Sequence, residues 1–93
     1  MGRLHNAAMR ILLVEDDQMI GEVVLDALRA ESWAVDWVKD GAMAQTALAT
    51  AGYDLVLLDL NMPRKDGWEV LDDIRADGDL SGLPVIIMTT SDV

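Results

Sequence analysis

Cysteine is absent from the 93 residues, so the chain can build neither a disulfide framework nor a thiolate metal site, and it suits a reducing cytoplasm. No apolar run exceeds a handful of residues, far short of the roughly 20 that a bilayer-spanning helix needs. Membrane insertion is not expected. Basic residues are scarce: seven Lys and Arg stand against seventeen Asp and Glu, for a formal charge of −10. Affinity for a phosphate backbone comes largely from Lys and Arg, so direct nucleic-acid binding is excluded. An acid excess of this kind serves solubility, but solubility does not explain acids placed at strand ends.

What is present suffices for one small core and not for two. Residues 1–8 carry no hydrophobic period and lack the long apolar centre of a secretory signal; they read as a leader, a cloning remnant or an alternative start. The single histidine, His5, falls there and is assigned no chemistry. From Met9 onward, three short apolar runs, Ile11 to Val14, Leu55 to Leu58 and Val85 to Met88, have the composition of strands buried on both faces of a parallel sheet. A further strand is expected at Trp33 to Val38, with Trp33, Val35 and Trp37 on one face.

Helical patterns lie between the strands. Ile20, Val23, Val24, Ala27 and Leu28 follow the spacing of one helix face. Ala44, Ala47, Leu48 and Ala51 repeat it more weakly, between an Asp40-Gly41 turn and Gly52. A third helix is expected to start at Asp66, with Glu69 completing a capping box and Val70, Leu71 and Ile74 facing the core, and to end at Asp77-Gly78. The order β-α-β-α-β-α-β implies right-handed crossovers and an α/β, doubly wound parallel sheet. In such folds functional residues lie beyond the carboxyl ends of the strands.

Glu15, Asp16 and Asp17 end the first strand and Asp59 ends the third. With these strands adjacent, the carboxylates converge and raise one another's pKa values unless something positive sits among them. An oxygen-only donor set favours a hard cation, and Mg2+, which uses one or two carboxylates together with substrate phosphate, suits it. Capping of the next helix is the competing role for acids after a strand, and it is the assignment for Asp17. Asp59, closing a wholly apolar run, would be costly as an unpaired buried charge.

Val14-Glu15-Asp16-Asp17, Leu57-Leu58-Asp59-Leu60-Asn61-Met62-Pro63 with Asp66-Gly67, and Pro84-Val85-Ile86-Ile87-Met88-Thr89-Thr90 together resemble the receiver domains of response regulators in two-component signalling, over residues 9–93. The resemblance implies the flavodoxin-like receiver fold and a signalling module, not an enzyme. It makes Asp59 the phosphoacceptor, charged by a sensor histidine kinase or a small donor such as acetyl phosphate. It implies Mg2+ bound by Asp16, Asp59 and the backbone carbonyl of Asn61, with Glu15 acting mainly through a bound water. Thr89 resembles the residue whose hydroxyl bonds the phosphoryl group and moves inward on activation. Pro63 and Gly67 would shape the loop that holds Asp59, and Thr90 would tighten access to it.

The family pattern continues with a helix, a fifth strand carrying a lysine, and a last helix, and these have no counterpart in the 93 residues. Neither Lys39 nor Lys65 matches that lysine's place, so impaired phosphotransfer is expected, since such electrostatic stabilisers matter greatly to rate. An open fourth strand and an uncovered face of the first helix are expected to drive homodimerisation or larger self-association. The first half resembles receivers joined to DNA-binding domains and the segment 62–67 stand-alone ones, a mixture read here as a truncated or engineered chain. Two other functions compete. A haloacid-dehalogenase-like phosphatase would carry a second acid two residues after the nucleophile, where this chain has Asn61. An interaction fragment without phosphotransfer would keep the acidic pocket passively, and Mg2+ binding with labelling of Asp59 distinguishes it.

Overall fold

The computed structural model describes residues 9–60, 62 and 67–88. In chain order these form β1 (Arg10–Val14), α1 (Gln18–Ala30), β2 (Ala34–Val38), α2 (Gly41–Thr50), β3 (Leu55–Asp59), α3 (Gly67–Ala76) and β4 (Val85–Met88). The strands make one parallel sheet in the order β2-β1-β3-β4, the doubly wound α/β arrangement that the alternating pattern predicts. The expected elements all appear. β3 runs one residue further than its apolar run, so that Asp59 is its last residue and pairs with Met88.

Alternation along the strands divides the core in two. Leu12, Val14, Val56 and Leu58 face α2 and α3 and pack with Ala44, Val70 and Ile74. Ile11, Leu13 and Leu57 face α1, where Trp33, Val35 and Trp37 join them as expected. Burial of β1 and β3 between helix layers explains their unbroken apolar composition. β4 departs from that expectation: Ile86 is 53% and Ile87 37% exposed, because β4 is the sheet edge and the described helices pack over the other three strands.

The face predicted for α1 needs correction. Val24 and Leu28 pack on the sheet with Leu25, whereas Val23 is 65% exposed and Ala27 is exposed too. The cause is Gly21, which is buried. A Cβ on Gly21 would overlap the six-membered ring of Trp37, so the helix approaches β2 along the line through residues 21, 24, 25 and 28. A count of apolar side chains cannot register a glycine as a contact. The termini follow cap chemistry: Asp17 accepts from the Ile20 amide at 2.9 Å and Asp40 from the Met43 amide at 2.8 Å. Asp17 thus has the capping role assigned to it. The proposed Asp66 cap of α3 lies outside the described residues.

The amino-terminal end of the sheet is tied by a polar cluster. Asp36 accepts from the Tyr53 hydroxyl at 2.6 Å and from the Arg10 guanidinium at 3.0 Å, and Arg10 also lies over the Tyr53 ring. The Tyr53 bond, then that of Arg10, holds the Asp36 carboxyl below its ordinary value of 3.8. A carboxylate of this kind stabilises the fold above its unfolded pKa, and the contribution fades as pH falls through the lower folded value. We expect Tyr53→Phe to cost about 1 kcal/mol near neutral pH, a modest figure because the pair is half-exposed. The cost should shrink as pH falls below 3.8 and Asp36 protonates. Urea unfolding of both proteins across this range checks the expectation, and a pH-independent difference would contradict it.

Candidate functional site

The parallel register brings the acids together. Val14 pairs with Leu58, and continuing that register by one residue sets Glu15 beside Asp59 on the same face of neighbouring strands, which are about 4.8 Å apart. Oxygens of Glu15, Asp16 and Asp59 lie within 4.8 Å of one another. Glu15 and Asp59 are both buried, whereas Asp16 is open to solvent. The sequence therefore anticipated the convergence of these three side chains, but not the complete burial of Glu15.

Backbone contacts fix the Glu15 turn from several sides. The Glu15 amide donates to the Val38 carbonyl at 3.1 Å, extending the β1–β2 ladder past the end of β1. The Glu15 carbonyl accepts from Trp37 Nε1 at 2.8 Å, and one carboxylate oxygen, Oε2, accepts from the Asp17 amide at 3.1 Å. The other oxygen, Oε1, is buried and accepts from no N–H or hydroxyl group among the described residues.

Burial is the main reason that Glu15 is pushed up from 4.5 to about 7. The Asp17 amide opposes the rise, while the hydrogen bond and charge of Asp59 and the charge of Asp16 add to it. Such a cluster holds a proton near neutral pH or accepts a cation. The donor chemistry fits Mg2+: all donors are hard oxygens, they converge, and a buried carboxylate oxygen is left to be satisfied.

Asp59 is held from the other side by α3. A Cβ on Gly67 would overlap the Asp59 carbonyl oxygen and the Leu60 Cα, and the Gly67 amide donates to the Leu60 carbonyl at 3.3 Å. Only glycine lets the first turn of α3 press on the strand end, so the expectation that Gly67 shapes the Asp59 loop has a direct physical basis. Met62 is buried in the core and anchors the same loop. Asn61, Pro63, Lys65, Asp66, Thr89 and Thr90 lie outside the described residues. Lys39 is engaged elsewhere, bonded to Gln18 and lying 4.9 Å from the Trp37 ring centroid.

Sequence reasoning placed Trp37 on one strand face with Trp33 and Val35 and overlooked its bond to Glu15. The available signal was chemical, since a half-buried indole N–H normally finds an acceptor. Gly21 carried a signal too, as an isolated glycine inside a helical pattern marks a close approach.

Comparison with known proteins agrees with this geometry. The family model described as the response regulator receiver domain matches residues 11–93. The response regulator protein PmrA of Pseudomonas aeruginosa is 43% identical over 84 residues, which are 90% of this chain and 37% of PmrA. The chain thus spans just over a third of the length of such relatives, and the match runs through both of its halves. Among solved structures, the phosphorylated cyanobacterial phytochrome response regulator RcpA superposes with a TM-score of 0.84 at 38% identity, covering 94% of this chain and 69% of RcpA. The Mn2+-bound form of response regulator Rcp1 gives 0.82 at 36% identity, covering 91% of this chain and 68% of Rcp1. No helix among the described residues is long and apolar enough to cross a membrane. On motif, topology and similarity along nearly its whole length, the chain belongs to the response regulator receiver domain family of two-component signalling.

Proposed function

We propose that residues 9–93 act as a phosphoacceptor module in the cytoplasm, taking a phosphoryl group on Asp59 from a sensor histidine kinase or from a small donor such as acetyl phosphate. The observation that carries this reading is the convergence of Asp59, at the end of β3, with Glu15 and Asp16 beyond β1. The phosphorylated state named for RcpA and the bound Mn2+ named for Rcp1 lend it support.

In this reading Asp16, Asp59 and the Asn61 carbonyl would hold Mg2+, with Glu15 acting from beside them. When bound, Mg2+ neutralises charge on the transferring phosphoryl oxygens. A carboxylate oxygen of Asp59 forms the new bond to phosphorus as the bond to the donor's imidazole or acetate breaks, and the leaving group takes the electron pair. Gly67 keeps the strand end in place. Thr89 is assigned the hydrogen bond to the transferred group. Self-association belongs to the same reading, favoured by the exposed Ile86 and Ile87 on the edge strand β4.

Intact mass after incubation with acetyl phosphate tests the reading. We expect a phosphoryl adduct that needs Mg2+ and disappears in Asp59→Asn, with dimers or larger species visible under native conditions. A folded, Mg2+-binding protein that gains no adduct would refute phosphotransfer.

A second expectation follows from Glu15. Its raised pKa means that stability in chelator is highest below the unfolded value of 4.5 and falls as pH rises through about 7. Glu15→Gln keeps the acceptor for the Asp17 amide and removes the buried charge. It should therefore stabilise the metal-free fold by about 2 kcal/mol near pH 8 and hardly at all near pH 5. Thermal unfolding in chelator at the two pH values decides it, and an equal gain at both would count against the buried charge as the cause.

A further inference from the structure

We propose that Trp37 is a positioning residue of the acidic site, acting through the backbone of Glu15 and held in place by Gly21. The inference rests on reading the three carboxylates as a cation and phosphoryl site. Glu15 and Asp16 sit on a turn that has left β1 and not yet entered α1, so the strand ladder alone does not set it. β2 supplies one backbone acceptor beyond β1, the Val38 carbonyl. In a continuing parallel ladder the Glu15 carbonyl would next receive a backbone amide, but β2 ends at Val38. The indole N–H of Trp37 donates to that carbonyl instead, at 2.8 Å.

Both sides of the Glu15 residue are thereby tied to β2, one by main chain and one by a side chain. The indole is itself confined. The α1 backbone closes on its six-membered ring at Gly21, where no Cβ fits, and Lys39 covers the ring at 4.9 Å from its centroid. Gly21 also donates its amide to the Asp17 carbonyl at 2.9 Å, which links the ring's packing to the residue whose amide holds the Glu15 carboxylate. The single N–H of the Trp37 indole goes to the Glu15 backbone and to none of the three carboxylates; it sets the direction from which two of them enter the site.

The test compares wild type, Asp59→Asn, Trp37→Phe, Gly21→Ala and Tyr53→Phe. Two quantities are measured: the Mg2+ dissociation constant by calorimetry, and hydrogen exchange of the Asp17 amide in chelator. Trp37→Phe keeps an aromatic ring and loses the donor, so Mg2+ binding should weaken about fivefold, with Asp17 exchange faster by a similar factor. Gly21→Ala keeps the donor but displaces the ring, and should move both readouts the same way, which covers the case of a poorly folding Trp37→Phe. Tyr53→Phe loses a hydrogen bond at the far end of the sheet and should move neither.

Unchanged readouts in both site variants would overturn the proposal. So would equal changes in Tyr53→Phe, since these would reflect global stability alone. If wild type shows no Mg2+ binding that depends on Asp59, the cation reading falls, and the role of Trp37 is then decided by Asp17 exchange alone.

Discussion

Two buried carboxylates at the ends of adjacent parallel strands are the constraint from which the rest of this structure follows. Like charges this close repel, and each loses hydration on burial. The raised pKa of Glu15 is the sign that the arrangement is unfavourable in the metal-free protein. A fold does not retain such a cluster through packing alone; the surrounding backbone has to hold it. β1 and β3 are accordingly the most deeply buried strands, with Ile11, Leu12, Leu13, Val14, Val56 and Leu58 fully enclosed. A rigid apolar platform ends abruptly in acids, and a functional site on a rigid element keeps its geometry better than one on a loop.

Two glycines complete that platform, and both act by what they lack. Gly21 lets α1 settle against Trp37, and Gly67 lets α3 press on the backbone of Asp59. The two helices lie on opposite faces of the sheet, so the strand ends that carry the acids are clamped from both sides. Asp17 joins the clamp to the site: its side chain caps α1 while its amide bonds the Glu15 carboxylate. The residue assigned a purely structural role therefore also helps to orient a site residue.

Much of this was legible in the sequence, and the reasons differ by element. Unbroken apolar runs mark doubly buried strands, so β1, β3 and β4 emerged within a residue of their observed limits. Their adjacency follows from the alternation of strands and helices, and adjacency brings Glu15, Asp16 and Asp59 together. The orientation of α1 was not legible from apolar spacing, because its contact line is set by Gly21, a residue without a side chain. The exposure of Ile86 and Ile87 agrees with the open fourth strand expected from the sequence and not with the doubly buried composition of that strand: composition reports what a strand can bury, whereas position in the sheet decides what covers it. The hydrogen bond from Trp37 to Glu15 joins residues 22 apart in sequence and depends on where β2 stops, which no local pattern encodes.

These features bear on how a small acidic module can serve a phosphoryl group at all. A chain with a formal charge of −10 repels anionic donors at long range, and the exposed Asp16 adds to this near the site. Salt screens such repulsion over about 8 Å at physiological ionic strength, so the local arrangement governs the chemistry. There the convergent oxygens fit a divalent cation, and a bound cation would reverse the sign that an incoming phosphoryl group meets. The same burial that makes the Glu15 charge costly would strengthen its interaction with a cation, because low local polarity enhances attraction and repulsion alike. The cost of burying Glu15 and the attraction it would offer a cation are thus two consequences of one placement, Glu15 beside Asp59 at the end of the sheet.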